Sequence, residues 1–235
     1  MGNSLKPYRD KVYLACKTAQ RKRVEAEKEM LESLKLLHTD YFDVYQLHGL
    51  TSMEELETCF APRGAMELLR DMKEKGIARK ISFTAHSEPA ALRALELYDF
   101  DTVMFPLNWH MEHGMGERIR RAVKDRGLGL LGIKSMVDRA WSHEEQDSSK
   151  YIKSWCRPFD IETESSYLTA ALKYSISLGA DILIPPGNFE HLKYAVCHID
   201  EVLDNPLTEE DRAFLAARLP QVQEQPFYDP ECYQF

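Results

Sequence analysis

Residues 33–49 read SLKLLHTDYFDVYQLHG, and this stretch decides the fold. It closes a helix-period segment, residues 24–37, and passes into a short apolar run, FDVYQL at 42–47, that ends in His48 and Gly49. Upstream, VYLAC at 12–16 is a second short apolar run, ending in Lys17. The order is strand, helix, parallel strand, with one ionisable group at the carboxyl end of each strand. In a (β/α)8 barrel that face carries the catalytic groups, and side chains from neighbouring strands converge there. A lysine and a histidine that converge can polarise a carbonyl oxygen.

The words around these residues resemble the aldo-keto reductase family. SLKLLHTDYFDVYQLHG is similar to its signature, in which a helix ends in a turn, then Thr-Asp-Tyr, then a strand ending in the active-site histidine. RDKVYLACKT at 9–18 resembles the strand that ends in the family's active-site lysine. The likeness continues through MKEKGIARKISFTAHS (72–87), FDTVMFPLNW (100–109) and LIPPGNFEHL (183–192), so it covers nearly the whole chain. It implies an α/β fold of the (β/α)8 TIM-barrel type over residues 1–235 as one domain. It implies NAD(P)H-dependent reduction of a small aldehyde or ketone, with Lys17 and His48 as catalytic positions. The family's proton-donor tyrosine and its supporting aspartate lie one strand-helix unit before that lysine. The resemblance here begins at the family's third strand, so the chain is expected to be a truncated barrel without the Tyr and Asp.

The cofactor side of the resemblance falls on further positions. Thr84 takes the place of the family's usual serine beside the nicotinamide carboxamide, and Ala85 replaces a frequent asparagine. Asn108 matches the Asn or Gln that also reaches the carboxamide; read alone, it is a turn residue after a strand. Lys134 and Ser135 stand where the family surrounds the pyrophosphate, and a lysine can neutralise phosphate charge. Pro186, Gly187 and His191 lie in the loop and helix start that hold the adenosine phosphate, and a helix amino end with a glycine suits an anion. Family members that prefer NADPH carry Lys-Ser and a later Arg there, and Tyr194 and Ala195 replace a common Glu-Asn pair. The cofactor is therefore NADP or NAD, with the choice open.

Bulk properties agree with an α/β protein. The 235 residues suffice for one large domain with its own core. A net charge of −8 leaves no basic footprint for nucleic acid. Cys16, Cys59, Cys156, Cys197 and Cys232 are scattered, odd in number and without CxxC spacing, which points to reduced thiols and a cytoplasmic location. No apolar stretch approaches the ~20 residues a membrane span needs. The HMEH stretch at 110–113 has zinc-like letters but reads as a polar loop before a helix.

The rest of the chain repeats the unit. Helices are expected at 62–75, 88–97, 115–126, 163–178, 189–198 and 208–219, the last opened by Thr208 with Asp211 three residues on. Strands are expected at 80–83, 102–105, 128–133 and 181–184. A polar insertion at about 136–162, with Trp141, Tyr151 and Trp155, follows a strand's carboxyl end and is expected over the mouth. Six strand-helix units do not close an eight-stranded barrel. The strands at 12–16 and 181–184 should not pair, and a gap should remain or a second copy should cover the open edge. Two other functions follow from the same residues. Loss of the Tyr and Asp favours a non-catalytic nicotinamide-binding or regulatory subunit. A lysine at a barrel mouth, Lys17 or Lys134, could form an imine as in a Schiff-base lyase or aldolase.

Overall fold

The computed structural model describes residues 1–110, 116–142, 145, 154 and 156–223. In chain order the elements are α1 (Gly2–Leu5), a 3-10 turn (Lys6–Lys11), β1 (Ala15–Thr18), α2 (Arg23–Leu37), β2 (Phe42–Leu50), α3 (Met53–Phe60), α4 (Ala65–Glu74), β3 (Ala78–Ala85), α5 (Glu88–Leu97) and β4 (Thr102–Pro106). There follow α6 (Glu117–Asp125), β5 (Gly129–Ile133), β6 (Val137–Arg139), β7 (Arg157–Pro158), α7 (Ser165–Ser177), β8 (Ile182–Ile184), α8 (Phe189–Asp204), α9 (Glu209–Ala216) and α10 (Leu219–Gln223). One sheet has the order β1-β2-β3-β4-β5-β8, and β6 with β7 forms a separate antiparallel pair. Neighbours in the larger sheet run parallel, and β1 and β8 are its two edges. This is the α/β alternation of a (β/α)8 fold with six of its strands present. The chain divides into two compact units, residues 1–104 with 121–129 and residues 105–120 with 130–234.

The first unit is built on β2, whose Phe42, Tyr45 and Leu47 are fully buried. A strand of a parallel sheet is covered on both faces, so it reads as a continuous apolar run rather than an alternation. Each such side chain contributes roughly 1.5–3 kcal/mol by leaving water. Ile81 and Phe83 of β3, Met66, Leu69 and Met72 of α4, and Ala90, Ala91 and Leu95 of α5 complete this core. Of α2, only Ala26 and Met30 are buried.

Three expectations need correction. The first strand is not 12–16: β1 spans Ala15–Thr18, so Lys17 lies inside the strand rather than past its end. Residues 12–14 form an extended arm instead. It is tied down where the Leu14 N–H donates to the Asp43 carboxylate, which also takes Arg9 and Arg79, each at 2.9 Å. Strand β2 runs three residues beyond 47, through a register shift between Leu47 and Leu50 at which Gly49 adopts φ +61°. The residues between 51 and 61 contain a helix of their own, α3, and the helix expected at 62–75 starts only at Ala65.

The second unit packs Trp109, Met136, Phe159, Leu168, Leu172 and Val202 into one cluster. Phe159 stacks on Tyr167, and Tyr167 on Phe214, with ring centroids 5.2 and 4.2 Å apart. The described part of the insertion is held by charge as well as by packing. Asp138, fully buried, accepts from Arg157 at 2.6 Å and from Arg218 at 2.9 Å. Glu164 takes the same two arginines at 3.1 and 2.7 Å. Trp141 donates to the Ser154 carbonyl at 2.7 Å, whereas Tyr151 and Trp155 lie outside the described residues.

Candidate active site

In the first unit, Lys17 stands opposite Gln46 in the β1–β2 register, which puts it two residues short of His48 on the adjacent strand. Lys17 is exposed and His48 half-buried. Burial, then the Lys17 cation, then Arg21 lower the His48 pKa below its ordinary value, with Glu29 opposing. The imidazole is therefore neutral at pH 7 and able to donate one hydrogen bond to a carbonyl oxygen.

The loop at the end of β2 is held from two sides. Arg21 donates to the carbonyls of His48 and Gly49 at 2.7 and 2.9 Å and is itself held by Glu55 at 3.2 Å. The Thr84 hydroxyl accepts the Gly49 N–H at 2.6 Å. Thr84 is buried, so this bond defines its place: it fixes the bulge that carries His48. Beneath it, the buried Gln46 amide donates to Ser82 at 3.1 Å, and Thr18 donates to Glu29 at 2.5 Å. Neither Arg21 nor Glu29 was a candidate from sequence. Arg21 sits in a turn, TAQRKR at 18–23, without periodicity to distinguish it from a solvated basic run.

In the second unit, Asn108 is buried and engaged on both sides of its amide. Its nitrogen donates to the Lys134 and Val137 carbonyls at 2.8 and 3.0 Å, and its oxygen accepts the His110 N–H at 2.8 Å. These bonds hold the turn after β5, in which Lys134 adopts φ +71°. Lys134 Nζ donates to Cys156 Sγ at 3.3 Å. Burial raises the Cys156 pKa and Lys134 opposes it, so the thiol stays protonated at pH 7. Ser135 is fully buried, and its hydroxyl has no hydrogen-bond partner among the described residues.

At the start of α8, Pro186 is half-buried and Gly187 exposed. Asn188 caps the helix, its Oδ1 accepting the His191 N–H at 3.0 Å, while its Nδ2 donates to Ser154 at 3.2 Å. His191 points inward and is fully buried. Its Nε2 donates to the Phe159 carbonyl at 2.9 Å and its Nδ1 lies 2.7 Å from Asn188 Oδ1. Of the HMEH stretch, His110 is buried beside Trp109, and Glu112 and His113 lie outside the described residues. Among the described residues no group of three His, Cys, Asp or Glu could hold a metal, and no helix is long and apolar enough to cross a membrane.

Solved structures with the same fold include an aldo/keto reductase from Klebsiella pneumoniae in complex with NADP and acetate. It is 18% identical with a TM-score of 0.64 over 97% of this chain and 77% of that one. The holo form of an aldo-keto reductase from Bacillus halodurans is 16% identical with a TM-score of 0.63 over 92% and 76%. A glycerol dehydrogenase from Gluconobacter oxydans is 15% identical with a TM-score of 0.62 over 97% and 78%. No curated protein sequence matches the chain. The model of the Aldo/keto reductase family matches residues 1–173, which include β1 with Lys17, the bulge with His48, and the turns that carry Thr84, Asn108 and Lys134. By that match the chain belongs to the aldo/keto reductase family.

Proposed function

We propose that the chain acts in NADP(H)- or NAD(H)-dependent reduction of a small aldehyde or ketone, with His48 polarising the carbonyl oxygen and Lys17 setting the charge beside it. The observation that carries this reading is the His48 imidazole itself. It is held on a bulge by Arg21 and Thr84 and kept neutral by burial and by Lys17. A neutral imidazole donates a hydrogen bond that strengthens as negative charge develops on the carbonyl oxygen.

The residues of the second unit fit the phosphate end of a nicotinamide nucleotide. The Ser135 hydroxyl, without a partner among the described residues, the Lys134 ammonium group and the amino end of α8 after Gly187 are the groups that would hold it. Asn188 and the buried His191 would shape that helix start rather than touch the phosphate. When bound, such a nucleotide supplies a hydride. By the family resemblance, the tyrosine and aspartate fall in strand-helix units before the lysine strand. His48, with its lowered pKa, is a poor substitute for the tyrosine as proton donor. General acid catalysis by such a tyrosine typically contributes 10²–10⁴-fold.

A non-catalytic nucleotide-binding role is the second reading. The side chains of Thr84 and Asn108, which would face a nicotinamide carboxamide, are both committed to backbone groups. The test is nucleotide binding by calorimetry, alongside NADPH and NADH oxidation with a reactive aldehyde. Both are run on residues 1–235 and on a chain preceded by two family strand-helix units. Reduction by the extended chain, lost in His48→Ala, supports the first reading. Binding without turnover in both supports the second. Failure of either chain to bind NADPH or NADH refutes both.

A further inference from the structure

The second unit brings one lysine and one cysteine together. Lys134 Nζ donates to Cys156 Sγ at 3.3 Å, and both side chains are half-buried. Among the described residues, Cys156 is the cysteine whose sulfur takes a hydrogen bond from a cation; Cys16, Cys59 and Cys197 take none. A thiol is a weak acceptor, so the bond itself is a poor exchange for water around an ammonium group. What the contact does provide is an amine within reach of a sulfur.

Both groups are held through their backbones. The Lys134 carbonyl accepts from Asn108 at 2.8 Å and from the Val137 N–H at 3.1 Å. Cys156 lies between two anchored residues. Ser154 accepts Trp141 on its carbonyl at 2.7 Å and Asn188 on its hydroxyl at 3.2 Å. Arg157 binds Asp138 at 2.6 Å and Glu164 at 3.1 Å. Groups fixed side by side react with each other far faster than free reagents do, because the entropy of bringing them together is already lost.

We propose that Cys156 and Lys134 form a redox-sensitive covalent site that closes to a sulfenamide when hydrogen peroxide is present. The Cys156 thiolate attacks one peroxide oxygen. The S–O bond forms, the O–O bond breaks, and the leaving hydroxide takes up a proton as water. The sulfur is oxidised to a sulfenic acid and the peroxide is reduced. Lys134, having given one proton to water, attacks that sulfur through its amine. The N–S bond forms, the S–O bond breaks, and the hydroxyl leaves with an amine proton as a second water. Burial keeps the thiol mostly protonated at pH 7, so the first step is slow; the Lys134 cation favours the thiolate that it needs. The second step joins neighbours and follows without a further reagent. Excess dithiothreitol reverses it, returning thiol and amine. The sulfenamide also removes the positive charge of Lys134. Weaker binding of a nucleotide phosphate would follow, a consequence that rests on the function proposed above, whereas the cross-link does not.

The test is mass spectrometry of the 235-residue chain after hydrogen peroxide and trypsin. The expected product joins residues 127–139 to the peptide that carries Cys156 and is lighter than their sum by two hydrogen atoms. It should vanish with dithiothreitol and be absent from Cys156→Ser. Lys134→Arg keeps the cation but has no amine that can condense, so there dimedone should trap Cys156 as its sulfenic acid. Calorimetry with NADPH should show about tenfold weaker binding by the cross-linked chain, restored by dithiothreitol. A Cys156 that stays reduced while the exposed Cys197 is oxidised overturns the proposal. So does dimedone labelling of Cys156 in the native chain as complete as in Lys134→Arg. So does a joined peptide in which fragmentation places an oxygen between sulfur and nitrogen. A reduced chain that binds no NADPH overturns the function proposed above and leaves the cross-link standing on its mass.

Discussion

The Arg21 guanidinium donates to the His48 carbonyl at 2.7 Å, so the catalytic candidate is held through its backbone rather than its ring. The same guanidinium reaches the Gly49 carbonyl and the Glu55 carboxylate. Replacing Arg21 by Met leaves two carbonyls without their donor. Hydrogen bonds from charged groups are worth about 1.5–3 kcal/mol each, and water reaches part of this bulge, so a loss of about 2 kcal/mol is expected. Urea unfolding with an unchanged slope measures it. The His48 pKa, followed by NMR, should rise in Arg21→Met but stay below its ordinary value, because burial is the larger cause. A His48 pKa unmoved by this change would show that Arg21 exerts no charge effect on the ring.

Gly49 makes a second, separable test. Its φ of +61° is left-handed, and a Cβ built there meets nothing within 4 Å. Any cost of Gly49→Ala is therefore backbone strain, about 1–2 kcal/mol for an L-residue in that region. Gly49→Asn should cost less, since asparagine tolerates left-handed backbone. Equal losses in the two variants would mean that something other than φ is at stake.

The strand-helix alternation was legible in the sequence because apolar runs and helical periods are set by local burial. Helix α5, at Glu88–Leu97, fell where Pro89 in the first turn and the alanine-rich face put it. Thr208 forms the capping box with Asp211 that its spacing announced. Helix α3 carried an equally readable signal, Ser52 three residues before Glu55, and the Ser52 hydroxyl does accept the Glu55 N–H. It was masked by the shortness of the helix and its acidic surface. Strand β1 was misplaced because hydropathy marks 12–16, whereas Asp43 draws the Leu14 N–H and turns those residues into an arm. At the site, the apolar runs put Lys17 and His48 at the ends of their strands, whereas Lys17 lies inside β1 and His48 inside the bulged end of β2, because hydropathy marks neither the arm at 12–14 nor the register shift after Leu47. The commitments of Thr84 and Asn108 were not legible, because which backbone group a buried hydroxyl or amide meets depends on contacts 26 to 35 residues away in sequence.

His110 makes the fold of the second unit sensitive to acid. Burial beside Trp109 pulls its pKa down to about 4. A histidine whose folded pKa lies below its unfolded value stabilises the native state fully above about pH 6.5, and that contribution is lost as pH falls towards 4. The gap of roughly 2.5 units, at ~1.4 kcal/mol per unit, amounts to about 3 kcal/mol. Glu145, held down to about 2 by Arg139, loses its contribution in the same direction over a lower window. Denaturant unfolding at pH 7 and pH 4.5 should show most of the loss in the native chain and a smaller loss in His110→Gln. A stability flat from pH 7 to 4.5 would rule out a buried neutral His110.

The Asp138 cluster sets the largest expected loss. Asp138 is fully buried and accepts from Arg157 and Arg218, with Arg139 at 3.5 Å. Glu164 and Glu145 complete the charge balance. Asp138→Asn keeps the shape and removes the charge, which leaves arginines facing each other around a neutral amide. Breaking a buried pair from one side typically costs about 3–5 kcal/mol, and the lower end applies here because Glu164 still holds both arginines. The cost belongs to unpaired charge rather than to lost volume, which a double-mutant cycle with Arg218→Met can separate. In the Asp138→Asn background, Arg218→Met should cost clearly less than in the native chain, since the cation it removes has already lost its main partner. Additive losses would mean that Asp138 and Arg218 act independently. Added salt should change the native value little, because these groups lie mostly out of water.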